Sequence, residues 1–320
     1  QRMFDMAGDS HLFRTREDME AAGFVLDGNR FVKGEEVWLP LYEAKMFWHY
    51  DHRYGTFEGV ESRSSTSIPT LTAEERADPE YLAMPWYWVN HSEVERKLES
   101  WDKKWLFGWR DITNATNSRT YICSFSSIGA AGDTFLLMFP QSDVVKIACL
   151  NASLASFAFD FATRQKVGGV HIKYNIMKQL PVLPPSTYTP TLTDFIAPRV
   201  IELTYTAWDL EPFARDVLAE VGVAQWNAWF PENPVGADGT PRPFVWDEGR
   251  RFDLRCDLDA LYFHLYEISR EDVDNIMETF PIVKRKDEAA YGRYRTKEVI
   301  LQKYDDLARE FVRVMRADLP

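Results

Sequence analysis

The chain has 320 residues, of which 45% are hydrophobic and 14% aromatic, and its net charge is −12. A chain of this length and apolar content can bury two cores, which excludes an intrinsically disordered protein. No apolar run reaches the roughly 18 residues of a membrane span, so we expect no membrane association. Three widely spaced cysteines, Cys123, Cys149 and Cys256, favour the reducing cytoplasm over a disulfide framework.

Charge is unevenly distributed along the chain. Residues 101–180 contain nine Lys or Arg, five Asp and no Glu, whereas the other 240 residues contain 28 basic and 44 acidic side chains. A basic segment inside an acidic protein can follow a phosphate backbone while the remainder limits non-specific binding. The alternative is that a segment rich in buried residues simply contains few acids.

The sequence of residues 1–47 predicts short helices and strands. It begins without Met and inside helix-like text, so we expect residues 1–20 to be the tail of an upstream domain that this chain lacks. Residues 17–24 predict a short helix ended by Gly23. A hairpin with its turn at Asp27-Gly28 and then a strand and turn over residues 37–47 are expected next.

A polar cluster follows at residues 49–54 and has three interpretations. His49, Asp51 and His52 could belong to a metal site, but nothing nearby in the sequence completes a ligand set, and we expect none. The cluster could instead be a DNA-facing turn, with Arg53 directed at DNA, or ordinary surface. The Ser-, Thr- and Glu-rich residues 55–80 after it predict a loop.

Residues 105–109 predict a strand, and the next eleven residues are the second informative stretch. Its candidate DNA contacts are Arg110, Asn114, Asn117 and Arg119. Arginine can form two hydrogen bonds with guanine, and asparagine two with adenine, in the major groove. The alternative is a polar loop in which Asn and Thr bond their own backbone. Strands over residues 121–125 and 134–139 are expected to follow.

Residues 143–166 predict one helix with an apolar face, begun by Asp143 as its cap. The face consists of Ile147, Leu150, Leu154, Phe157 and Phe161. Arg164 and Lys166 suit the negative C-terminal end of the helix, and Gly168-Gly169 breaks it. These glycines free the backbone for positive φ or for close approach by another molecule. With His171 and Lys173 they form a basic turn that we expect to meet phosphates; the alternative is a glycine turn between packed segments.

The rest of the chain predicts helices. Apolar stripes and a Ser269 cap indicate helices within residues 192–208, 211–221, 254–265 and 269 onward, with a loop over residues 235–243. Phosphate-binding glycine loops and the Gly-x-Ser-x-Gly nucleophile motif are absent from the sequence.

Several stretches carry a family resemblance. RMFDMAGDSHLF (residues 2–13), RDITNATNSRT (110–120) and HIKYNIMKQLPV (171–182) resemble the C-terminal region of adenine-specific DNA methyltransferases of type IIG restriction–modification and DISARM phage-defence systems. The last stretch is also similar to the end of target recognition domains in type I restriction specificity subunits. Residues 40–47 are similar too, with Ala44 where these families usually have glycine, and so are residues 255–262 and 280–288.

The resemblance implies an α+β fold. Residues 21–185 would be a mixed α/β DNA target recognition domain, 186–190 a linker and 191–320 a mainly helical C-terminal domain. Double-stranded DNA is the implied partner. S-adenosylmethionine is the implied cofactor of the missing upstream domain, which would flip and methylate the adenine. This chain is expected to hold no cofactor, metal or catalytic residue, since its one Asn-Pro pair, Asn233-Pro234, is followed by Val235 and not by the Pro-Tyr of the methyltransferase motif.

We therefore expect the DNA-binding, sequence-recognition portion of a site-specific adenine DNA methyltransferase. The expected DNA-binding residues are Arg53, Arg110, Asn114, Asn117, Arg119, Arg164, Lys166, Gly168, Gly169, His171 and Lys173. One alternative is an interaction module that docks a partner subunit of a defence complex through residues 190–320. An independent enzyme that uses the cluster at residues 49–54 ranks last.

Overall fold

The computed structural model describes residues 1–64, 67–114 and 116–314, with side chains up to residue 309. It confirms the α+β class and the mainly helical C-terminal part. The strands are β1 (Phe13–Arg14), β2 (Val25–Asp27), β3 (Arg30–Lys33), β4 (Glu36–Tyr42), β5 (Trp88–Asn90), β6 (Trp105–Arg110), β7 (Cys123–Ser127), β8 (Ala130–Ala131) and β9 (Phe135–Leu137). The helices are α1 (Arg16–Ala21), α2 (Ala73–Ala77), α3 (His91–Lys97), α4 (Val144–Ala155), α5 (Phe157–Lys166), α6 (Tyr174–Met177), α7 (Pro190–Thr204), α8 (Glu211–Trp229), α9 (Glu248–Leu265), α10 (Arg270–Glu278), α11 (Pro281–Tyr291) and α12 (Arg295–Val314).

By internal packing the chain forms two compact units, and each draws on three stretches of sequence. The first unit contains residues 1–112, 122–148 and 200–246, and the second contains residues 113–121, 149–199 and 247–320. The boundaries at residues 185 and 190, which follow from the family resemblance, stay a prediction about functional domains.

The first unit contains both sheets. One has the order β1-β5-β4-β3-β2, antiparallel throughout, with β8 added parallel to β4. The other has β6 between β7 and β9. The predicted hairpin is confirmed: Val25 pairs with Val32, and Gly28 in its turn has a φ of 63°. This angle is costly for residues with a Cβ, so the glycine fixes the turn.

The second sheet depends on a glycine inside β6. A Cβ at Gly108 would lie 2.2 Å from the carbonyl oxygen of Leu136 on β9. Beside this close contact, Trp105 and Phe125 pack against Phe213 of α8, with ring centroids 5.5 and 4.3 Å away. Buried aromatic contacts of this kind contribute to the stability of the first unit.

The second unit is helical. Its core contains Phe157 and Ala158 of α5 together with side chains of α9, α10 and α12, among them Phe263, Val273, Met277 and Ile300. The Ser269 cap predicted from sequence is confirmed, since its hydroxyl accepts a hydrogen bond from the amide of Asp272 at the start of α10.

The single helix predicted over residues 143–166 is wrong. It is two helices, α4 and α5, bent by 60°. Ser156 is the reason, because its side chain accepts a hydrogen bond from the amide of Phe159 and caps α5, as Ser does at helix starts. At the start of α4, the amides of Val144 and Val145 donate to the carboxylate of Glu220.

Among the described residues, no single helix is long and apolar enough to cross a membrane. The bent pair α4 and α5 reaches that length and composition only when its two helices are taken together.

Candidate nucleic-acid interface

The polar cluster at residues 49–54 is buried, which contradicts both a DNA-facing turn and an ordinary surface. Arg53 is 1% exposed, and its guanidinium donates to four main-chain carbonyls, those of Arg76, Asp78, Tyr81 and Thr206. Burial lowers the pKa of Arg53, and the nearby carboxylates of Asp209, Asp51 and Asp78 limit that effect. Arg53 is therefore a structural residue and cannot reach DNA.

The neighbours of Arg53 also use their polar atoms inside the first unit. The ring of His52 lies 2.7 Å from a carboxylate oxygen of Asp209, and Asp51 pairs with Arg76. Burial alone would raise the pKa of Asp209, but the charge and hydrogen bond of His52, with Arg53, hold it below its usual value. No group of three or more His, Cys, Asp or Glu in the described ranges could hold a metal ion.

Arg110 is also an internal residue, and its prediction as a DNA contact is wrong. Its guanidinium donates to the carbonyl of Phe47 and lies 4.9 Å from the ring centroid of Trp48 and 5.7 Å from that of Tyr54. Burial lowers the pKa of Arg110 to about 10. Aromatic faces stabilise the buried cation in place of water.

Arg119 and Arg164 surround a buried carboxylate in the second unit, which removes both from the predicted DNA contacts. Asp160 is 0% exposed and accepts a 2.6 Å bond from Nε of Arg119 and 3.0 Å bonds from the amide of Thr120. Nε of Arg164 lies 3.6 Å from it. Burial lowers the pKa of Arg164, while the charge of Asp160 acts in the opposite direction.

These arginines hold a loop in place. Arg119 donates to the carbonyl of Ala155, and Arg164 donates to the carbonyls of Thr279, Asn117 and Ser118 at 2.7 to 3.2 Å. The role of Asp160 was not predicted from the sequence. The feature that could have indicated it is a single acidic residue on an apolar helix, one turn before Arg164.

The loop at residues 114–118 is solvent-exposed, although Ala115 lies outside the described residues. The side-chain oxygen of Asn114 accepts 2.9 Å bonds from both the amide and the hydroxyl of Thr116, as the self-bonded polar loop predicts. Asn117 is exposed, and its amide donates to the carbonyl of Asn114. The loop thus presents Asn117 while Asn114 stabilises the turn.

The basic turn after α5 is exposed as well. Lys166, Gly168, Gly169, His171 and Lys173 are all on the surface. Neither glycine has positive φ, and a Cβ at either would meet nothing within 4 Å. The glycines therefore do not serve to provide positive φ, and the space beside them is open.

The two exposed segments are neighbours. The amide of Thr113 donates a 2.9 Å hydrogen bond to the carbonyl of Val170, and Arg164 connects α5 to the carbonyls of Asn117 and Ser118. We name residues 113–118 and 166–173 the paired loops. They contain seven of the predicted contacts, all of them exposed: Asn114, Asn117, Lys166, Gly168, Gly169, His171 and Lys173.

Comparisons with known proteins give no identification: no family model, curated protein or solved structure matches the chain.

Proposed function

We propose that this chain is the DNA-binding, sequence-recognition portion of a site-specific adenine DNA methyltransferase of a restriction–modification or phage-defence system. Residues outside this chain would bind S-adenosylmethionine and carry out methyl transfer, in the cytoplasm. The proposal rests on the family resemblance of residues 110–120 and 171–182, which contain the whole of the first paired loop and residues 171–173 of the second.

The observation that carries the proposal is the composition of the paired loops. Lys166 and Lys173 are exposed and form no ion pair within the part of the chain that the structure describes. The open glycines between them let a phosphate backbone approach main-chain amides, and Asn117 offers an amide that can bond a base edge. Phosphate contacts position a protein on DNA, and base contacts specify the sequence.

The proposal is compatible with the acidic net charge of the protein. Arg53, Arg110, Arg119 and Arg164 are used inside the protein, so the paired loops present few cations and the acidic remainder repels DNA elsewhere. Binding through few phosphate contacts gives weak non-specific affinity, and selectivity then depends on base contacts.

The test is a titration of the full-length protein with duplex DNA at two salt concentrations, comparing wild type with a Lys166→Ala, Lys173→Ala double variant. We expect the logarithm of the binding constant to fall with the logarithm of salt concentration, less steeply in the variant by about two units of slope. Binding of the wild type that does not depend on salt, or no binding to any duplex, overturns the proposal.

A second candidate, docking of a partner subunit of a defence complex, is favoured by a groove of about 530 Å³ in the second unit. Its apolar lining includes Phe161, Pro181, Tyr266, Ile268 and Ile276. Apolar concave surfaces of this kind accept side chains of partner proteins. Substitution of Asn275, an exposed residue of the lining, by Arg should block such docking while leaving DNA binding intact, as measured by co-purification of the subunits and by DNA titration.

A further inference from the structure

Five of the predicted DNA contacts between residues 110 and 164 are arginines or asparagines, whose side chains can form two hydrogen bonds with one base edge: Arg110, Asn114, Asn117, Arg119 and Arg164. The structure uses four of them within the protein. The three arginines donate to main-chain carbonyls or to Asp160, and the oxygen of Asn114 is occupied by Thr116.

Asn117 is the fifth. Its side chain is exposed, and the side-chain carboxamide has no hydrogen-bond partner within the described residues. Its main chain is held on both sides. The main-chain N–H donates to the carbonyl of Asn114 at 3.0 Å, and the main-chain carbonyl accepts from Arg164 at 2.7 Å. A polar side chain on a fixed backbone loses little conformational freedom on binding, which favours its use in recognition.

We infer that Asn117 reads the major-groove edge of an adenine, an inference that rests on the proposed DNA-binding function. Its oxygen would accept from the N6 amino group of the base and its nitrogen would donate to N7, the pattern that only adenine offers in that groove. Arg164 is then a positioning residue, since it holds the main chain of Asn117 without contacting DNA.

The neighbouring groups fit this assignment. Lys166 and Lys173 of the adjacent loop are point charges suited to phosphates, and the glycines between them leave room for a backbone. The paired loops thus separate a residue that specifies sequence from residues that fix the register of the duplex.

The experiment is a selection of binding sites from a random duplex library, performed with the full-length protein. Wild type, Asn117→Ala and Asn175→Ala are compared, where Asn175 is an exposed asparagine on α6, outside the paired loops. We expect wild type and the Asn175 variant to enrich the same sequence. The Asn117 variant should lose preference at one A·T pair and keep it at the others.

Titration with the selected duplex then measures the effect. Asn117→Ala should weaken binding to the selected site relative to a scrambled one by between about fivefold and about 150-fold, the equivalent of roughly 1–3 kcal/mol. Replacing the adenine by 7-deazaadenine removes N7. It should weaken binding of wild type and have no further effect on the Asn117 variant.

Each outcome is informative. An Asn117 variant that keeps the complete wild-type sequence preference overturns the assignment while leaving DNA binding in place. Equal losses on selected and scrambled duplexes make Asn117 a phosphate contact and also overturn it. A wild type that enriches no sequence and binds no duplex overturns the proposed function itself, and the assignment with it.

Discussion

Arg164 donates a 2.7 Å hydrogen bond to the main-chain carbonyl of Asn117, and so connects the end of α5 to the exposed loop at residues 114–118. Its guanidinium also lies 4.0 Å from the ring centroid of Phe280 and bonds the carbonyl of Thr279. A side chain that looks like a phosphate ligand in the sequence is therefore part of the support for that loop.

Substitution of Arg164 by Met should show whether this side chain holds the loop at residues 114–118 or contacts DNA. The change removes three hydrogen bonds that a charged donor makes to main-chain carbonyls, and we expect the free energy of unfolding to fall by roughly 1.5–3 kcal/mol. The salt slope of DNA binding should stay the same, because no phosphate contact is lost. Thermal unfolding and titration at two salt concentrations measure the two effects; a slope reduced by about one unit would show that Arg164 touches DNA.

Lys166 should behave in the opposite way. Its side chain is exposed, so Lys166→Ala should leave thermal stability unchanged and weaken binding to every duplex alike. The expected loss of salt slope is about one unit. Lys286→Ala, which removes an exposed lysine of α11, is the matched control and should change neither quantity. Equal slopes for all three proteins would place the phosphates elsewhere.

Alanine substitutions at Gly169 and Gly108 should have opposite effects on DNA binding and stability. Gly169→Ala places a methyl group in open space and should change stability by no more than about 0.5 kcal/mol, yet weaken DNA binding if a phosphate approaches there. Gly108→Ala places its methyl group 2.2 Å from the carbonyl oxygen of Leu136 and should destabilise by at least about 1–3 kcal/mol. Calorimetric unfolding and DNA titration of both variants decide this; unchanged affinity in the Gly169 variant argues against close approach of DNA.

Asp259 predicts a pH dependence of stability. Its carboxyl accepts a 2.7 Å bond from the amide of Phe157 at the start of α5, and burial raises its pKa to about 6 from a usual 3.8. Because the folded state binds this proton more tightly than the unfolded state, protonation of Asp259 stabilises the fold. This contribution is complete below pH 3.8. It is lost as the pH rises through 6.

Asp259→Asn keeps an oxygen for the amide of Phe157 and removes the buried charge. It should therefore stabilise the protein at pH 8 by up to roughly 3 kcal/mol and have little effect near pH 4. Denaturant unfolding at both pH values is the measurement, with Glu232→Gln on the exposed surface as control. A stability difference that does not vary with pH would contradict the raised pKa.

The regular elements could be predicted from sequence where local signals act alone. The hairpin at Asp27-Gly28 and the Ser269 cap both depend on residues within one turn of each other, and both are confirmed. The break at Ser156 was missed because the apolar spacing continues through it. The bond from the amide of Phe157 to Asp259, 102 residues away, cannot be seen in a local pattern.

The candidate site shows the same limit. Lys166, Gly168 and Gly169 were predicted to be accessible and are, because a glycine turn after a helix is a local signal. Arg53 and Arg110 were misjudged because arginine serves equally well as a ligand of phosphates and of main-chain carbonyls. Only the position of a distant segment decides between these roles.

The four carbonyl bonds of Arg53 have a consequence for the segment at residues 76–81. Three of those carbonyls belong to it, although only the end of the five-residue helix α2 gives it regular structure. A protease needs an extended stretch of backbone that it can pull into its cleft, and this stretch is anchored from within by one guanidinium. Although the sequence predicts a loop over residues 55–80, the segment should resist nicking for as long as Arg53 stays in place.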